Sequence, residues 1–175
     1  SGRSIEGYNM FEEITKCKEL LTKFGGHPMA AGLSLPTENI DLFRAKLNRQ
    51  QTLTEKELTP VTWIDVPMPV SYASKKLVEQ LRVLEPFGKG NEKPVFADRK
   101  LTVRSANMIG KNKNVLKMQL EDTQGHVVDA IQFKVEEEDM PLRGKEISIV
   151  YYPDINEFRG NQTLQFIVQE WCYTT

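Results

Sequence analysis

The residues of this sequence best suited to chemistry are Gly25, Gly26 and His27, with Ala30, Ala31 and Gly32 just behind them. Two glycines let backbone N–H groups approach a phosphate oxygen with no Cβ in the way, and an imidazole can add a hydrogen bond or a positive charge. The same residues also read as a glycine helix cap followed by a surface histidine, which needs no ligand. A second candidate is Ser1, Arg3 and Ser4. Two hydroxyls and a guanidinium suit a phosphate, or they are a frayed chain end. A third is Pro86-Phe87-Gly88-Lys89-Gly90-Asn91, a rigid turn that either presents Lys89 or joins two elements. The fourth is a basic stretch, Arg99, Lys100, Arg104, Lys111, Lys113 and Lys117, together with Tyr151, Tyr152, Phe158 and Arg159. Cations that follow a backbone and aromatics that stack on bases equip a sequence-tolerant single-strand binder. The competing reading makes the lysines a solvated face and the aromatics core, since alternation turns half the side chains of a strand inward.

Other chemistries lack their residues. Metal-assisted phosphate hydrolysis needs clustered Asp and His ligands, and the two histidines, His27 and His126, have no Asp beside them in sequence, so no metal site is expected. There is no P-loop, no Gly-x-Ser-x-Gly elbow and no zinc-deaminase signature. Cys17 and Cys172 lie near opposite ends at no zinc or redox spacing, which points to a reducing, cytoplasmic setting.

The chain has 175 residues and a mean hydropathy of −0.44, with 39% hydrophobic and 27% charged residues, enough for a core and too polar for a membrane span. It opens at Ser1 with no initiator Met, as a piece of a longer protein would. The net charge of −1 conceals a segregation: residues 75–117 carry +7 and residues 118–175 carry −7. Surface fields are set within about a Debye length, roughly 8–10 Å, so the basic segment can attract a polyanion whatever the total.

The candidate residues need elements to hold them. Asn9 and Glu12 resemble a capping box, and Phe11, Ile14, Cys17, Leu21 and Phe24 at helical spacing predict one helix closed by Gly25-Gly26. Leu33-Ser34-Leu35 reads as a short strand, and Pro36-Thr37-Glu38 starts a second helix running to about Leu53 with Ile40, Phe43 and Leu47 on one face. Polar residues 54–60 mark a boundary, and Val61 to Val70, broken by Pro67 and Pro69, is an edge strand or a connection. Ser74 caps a third helix with the stripe Leu77, Leu81 and Leu84. From Val95 the period becomes two, with strands expected at about 95–104, 115–121, 127–133, 145–152 and 163–171, a number and length that suit a small closed barrel.

Taken together these motifs look familiar. Phe24 to Gly32 resembles the GGHxxAAG signature of the DHHA1 domain of DHH-family phosphoesterases. Ser1-Gly2-Arg3-Ser4-Ile5, Leu84 to Asn91 with Pro94-Val95-Phe96, and Ile155 to Asn161 with Leu164-Gln165 resemble, in order, stretches of the RecJ branch of that family, single-strand-specific exonucleases of recombination and repair. The resemblance implies an α+β chain: a partial DHHA1 unit over 1–55, a linker with edge strand and connecting helix over 56–94, and a five-stranded OB-fold barrel over 95–175. It implies 5′-to-3′ degradation of single-stranded DNA by a parent enzyme whose DHH catalytic domain lies upstream and holds manganese or magnesium, so that this part alone is inactive and carries no cofactor. The implied strand contacts are Ser1, Arg3, Ser4, Gly25, Gly26 and His27, the last assisting catalysis at a phosphate. Arg104, Lys111, Lys113, Lys117, Phe158 and Arg159 are the barrel candidates. Expected partners are single-stranded DNA, the upstream domain, and a single-strand-binding protein or helicase, with no membrane. The alternative is that the barrel is a protein-interaction module.

Overall fold

Asn9 does cap the first helix, α1 (Met10–Thr15), its side-chain oxygen accepting the Glu12 N–H at 3.3 Å in the computed structural model, which describes residues 1–174. The helix is shorter than its spacing predicts. Thr15 Oγ1 donates back to the Phe11 carbonyl at 2.7 Å, a 3-10 turn follows at Lys18–Leu20, and Lys23–His27 is strand β2. Gly25 and Gly26 therefore do not cap a helix; they sit inside a hairpin whose other arm is β3 (Ala30–Ser34). Phe24 still meets Phe11, ring centroids 6.0 Å apart, but as a strand residue laid on a helix. A helical period in the sequence is thus partly produced by two elements sharing one core.

Strand β1 (Gly2–Arg3) pairs with the other edge of β3, giving a three-stranded antiparallel sheet in the order β1-β3-β2. A 3-10 turn at Thr37–Asn39 leads into α2 (Ile40–Gln50), whose Phe43 and Leu47 share a cavity lining with Gly2, Met10, Ile14 and Ala31. A four-residue helix, α3 (Glu55–Leu58), opened by a capping box between Thr54 and Glu57, falls in the polar stretch expected to mark a boundary. This first unit ends at Thr62, and the second begins at Trp63.

In the second unit the connection expected as an edge strand shrinks to β4 (Val66–Pro67), parallel to the start of β5 (Phe96–Ile109). Two carboxylates lace it down: Asp65 accepts the Val95 N–H and Asp98 the Val70 N–H, each at 2.8 Å. Tyr151, fully buried, donates its hydroxyl to the Met68 carbonyl at 2.9 Å. Burial, and then the charge of Asp98, pushes that phenol far above its ordinary pKa, so it stays a donor. Ser74 caps α4 (Lys75–Leu81), accepting the Leu77 N–H at 3.2 Å. Val78 is its fully buried residue; of the expected stripe, Leu77 and Leu81 are half-buried, Leu81 against the core, while Leu84 falls in a 3-10 turn at Arg82–Leu84 and is exposed.

Beyond β5 come β6 (Val115–Glu121), β7 (Val127–Phe133), β8 (Glu146–Phe158) and β9 (Asn161–Tyr173). The order β5-β6-β7-β9-β8, with β8 pairing back onto β5, closes a ring of five strands, the OB-fold topology. Closure requires bends, supplied by register shifts between Asp98 and Leu101, at Val103–Ser105, and at Val150–Tyr151. Inward positions fill the barrel with Leu101, Val103, Leu116, Met118, Leu120, Ala130, Ile147, Ile149, Tyr151, Phe166 and Val168. The acidic run Glu137–Asp139 is a solvated 3-10 turn.

Candidate nucleic-acid interface

The hairpin register decides what each residue of the Phe24-Gly25-Gly26-His27 stretch can do. Cross-strand partners in an antiparallel sheet share a face. Arg3 and His27 both pair with Ala30, so these three form one row on one face of the sheet. The next row on that face is Gly25 opposite Gly32, and the next is Lys23 opposite Ser34. Phe24, Leu33 and the buried Ala31 take the other face, toward α1 and α2. The polar face is exposed at Arg3, Lys23, Gly25, His27, Gly32 and Ser34.

The two glycines have different physical reasons. At Gly26 φ is +154°, and a Cβ would stand 2.4 Å from the Ala30 carbonyl oxygen and 2.6 Å from Ala31 Cα, so the fold itself requires glycine. At Gly25 and Gly32 a Cβ would meet nothing within 4 Å, so neither the backbone nor a neighbour requires a bare residue. His27 accepts the Met29 N–H at Nδ1, 3.3 Å away, which places the proton of the neutral ring on Nε2, where it can be donated outward. Arg3 is exposed, with Nη1 bonded only to the Gly2 carbonyl at 3.0 Å. Ser4 is spent locally: its hydroxyl donates to the Tyr8 carbonyl at 2.5 Å, leaving lone pairs alone for any ligand. Ser1 is exposed and stands one residue before the pair Gly2–Ala31, outside β1.

On the barrel, the outer face of β6 and β7 reads in rows. At one end Ile109, Val115 and Phe133 lie side by side, followed by Asn107, Lys117 and Ile131. The β5–β6 turn at that end carries Lys111 and Lys113, both exposed. Phe133 is 54% exposed, a large aromatic surface lying across from a lysine-bearing turn. Sequence reasoning missed it. Phe158 ends β8 and Arg159 opens the turn to β9, with the guanidinium 5.1 Å from the ring centre. Because β9 runs parallel to β7 with Ala130 opposite Phe166, that turn falls at the far end of the same face, near Val127. Arg104 stands at a bulge of β5 and is held by Glu121, Nε to Oε2 at 3.0 Å, so its charge is largely balanced. Of the remaining candidates, Tyr151 is core and Tyr152 lies under Lys93, 3.7 Å from the ring centre. The Pro86–Asn91 stretch acts as a joint: Gly88 and Asn91 exchange backbone hydrogen bonds, and the Asn91 amide donates to the carbonyls of Leu84 and Pro86.

Among the described residues no three His, Cys, Asp or Glu side chains gather as a metal site would require. The one acid–imidazole pair among them, Asp122 with His126 at 3.0 Å, locks the β6–β7 turn. Partial burial opposes ionisation of Asp122, but hydrogen bonds from the His126 and Gln124 N–H groups and the His126 ring outweigh it and hold the carboxyl below its ordinary range. No helix among the described residues is long and apolar enough to cross a membrane.

Residues 64–170 match the RecJ OB domain family and residues 1–52 the DHHA1 domain family. The chain is 34% identical over 173 residues to the single-stranded-DNA-specific exonuclease RecJ of Bacillus subtilis strain 168, covering 97% of this chain and 22% of that protein. It is 36% identical over 176 residues to the same-named protein of Haemophilus influenzae, covering 96% and 30%. The crystal structure of RecJ in complex with Mg2+ from Thermus thermophilus shares the fold, with a TM-score of 0.71 over 99% of this chain and 26% of that one at 20% identity. The chain thus spans 22–30% of the length of these curated relatives.

Proposed function

The chain belongs to the RecJ family, and from that premise we propose that it is the strand-binding part of a 5′-to-3′ single-stranded-DNA exonuclease, delivering the strand to a metal-holding DHH domain upstream. The observation that carries this reading is the β6–β7 face, where the exposed Phe133 lies beside Lys117 and below the turn bearing Lys111 and Lys113. A base can stack on the ring while the lysines meet phosphates, and Phe158 with Arg159 continue the path at its other end. The hairpin contributes a purely polar contact: Arg3 and the Nε2–H of His27 reach a phosphate above the bare row Gly25–Gly32. In the intact enzyme His27 assists by donating to a non-bridging phosphate oxygen. Manganese or magnesium chemistry belongs to the upstream domain. Its work lies in cytoplasmic DNA recombination and repair, and the acidic residues of 118–175 offer a surface to a protein partner such as a helicase or single-strand-binding protein.

The test is oligonucleotide binding by the chain, measured by fluorescence anisotropy over a salt series. Reversing Lys111, Lys113 and Lys117 to Glu should remove most of the affinity, and neutralising the same three to Gln should lower the slope of log K against log salt by about 2, at roughly 0.7 per phosphate contact. Phe133→Ala should raise Kd about 5- to 160-fold, the equivalent of about 1–3 kcal/mol for one stacked base. Binding that survives the charge reversal supports instead a protein-interaction barrel.

A further inference from the structure

Lys23 is a cation with no assigned work. It lies in β2, at the edge of the three-stranded sheet, and its cross-strand partner is Ser34. Neither the Lys23 ammonium nor the Ser34 hydroxyl has a hydrogen bond or ion pair shown among the described residues; Lys16, Arg44 and Lys46 of the same unit each hold a carboxylate, while Lys18, Arg49 and Lys56 show none either. Lys23, Gly32 and Ser34, with Phe24 and Leu33, line an open depression of ≈ 180 Å³. The pair stands on the same face as Arg3 and His27, four residues along β2 from His27, so about 13 Å separates the two rows at roughly 3.3 Å per residue. Between them lies only the row Gly25–Gly32, where no side chain rises from the surface.

We infer that Lys23 and Ser34 seat a second phosphodiester group of the bound strand, further along the same face than the one met by Arg3 and His27. The ammonium supplies the charge and the Ser34 hydroxyl donates one hydrogen bond, while the strand's backbone lies over the glycine row. The inference rests on the reading of this face as a phosphate contact and adds to it a second seat, a direction for the strand along β2, and two residues. Edge strands carry lysines for another reason as well, since a charge on an edge discourages pairing with a second chain. The experiment must separate that role from phosphate binding.

Single-stranded oligonucleotide binding by the whole chain is measured from 50 to 200 mM salt for wild type, Lys23→Ala, Lys23→Arg and Ser34→Ala. Losing one phosphate contact from a single strand lowers the salt slope by about 0.7, so this fourfold rise in salt should cost Lys23→Ala about 2.6-fold less affinity than it costs wild type. Lys23→Arg should keep the wild-type slope, and Ser34→Ala should weaken binding with the slope unchanged. An unchanged slope for Lys23→Ala overturns the inference, and if the variant also self-associates in sedimentation, the lysine is an edge guard. Wild-type binding that ignores salt would instead overturn the underlying reading of the face.

Discussion

Gly25 and Gly26 are neighbours of one type with opposite obligations. Gly26→Ala sets a Cβ against backbone atoms of Ala30 and Ala31 at a φ of +154°, so it should destabilise the first unit by about 1–3 kcal/mol in denaturant unfolding. Gly25→Ala points into open space and should change stability by no more than about 0.5 kcal/mol. Its methyl would stand where a phosphate comes down on the row, so oligonucleotide affinity should fall while the unfolding curve stays in place. Retained affinity in Gly25→Ala would show that the bare row is not the floor of a binding site. His27 belongs beside Gly25 in this respect: the one contact its ring makes, from the Met29 N–H, orients Nδ1 and leaves Nε2 free for a ligand.

At the scale of elements, the segment from Asp65 to Val70 at the start of the second unit is fixed to the barrel by polar atoms, and Tyr151 is the most deeply placed of them. Tyr151→Phe keeps the ring between Phe96 and Phe166 and leaves the Met68 carbonyl without its donor, which should cost about 1–3 kcal/mol in thermal or denaturant unfolding. A stability equal to wild type would mean that water replaces the hydroxyl. The strands were legible because Leu116, Met118 and Leu120 alternate with Lys117 and Gln119, which fixes both period and phase. β7 shows where that legibility stops. Its Val127-Val128-Asp129-Ala130-Ile131-Gln132-Phe133 has apolar residues at both parities, so alternation alone assigns no phase, and only pairing with β6 turns Phe133 outward. The hairpin at Gly25 was misread for a similar reason: Phe11 and Phe24 share a core, and their spacing imitates one helix when it joins two elements. Paired Arg104 and spent Ser4 were illegible because a sequence does not show which partner a charge or hydroxyl finds first.

At the scale of the whole molecule, the two units are unequally cored. The buried apolar side chains of Ser1–Thr62 are Ile14, Cys17 and Ala31 among the described residues, whereas the barrel encloses a continuous cluster from Val70 to Val168. Local opening follows buried apolar contact, so amides of β2 and β3 should exchange hydrogen faster than those of β6 and β8, a difference read by mass spectrometry. Equal protection would require a source of cohesion in the first unit other than its own core. The long β8–β9 hairpin has a consequence of a mechanical kind. Its ladder runs from Ile147–Tyr173 inside the ring to Phe158–Asn161 at the tip, where Phe158 and Arg159 stand. A strand drawn past that tip pulls on one rung at a time, the loading under which a ladder peels most easily. Under the proposed function, the tip therefore suits a sliding contact better than a firm grip.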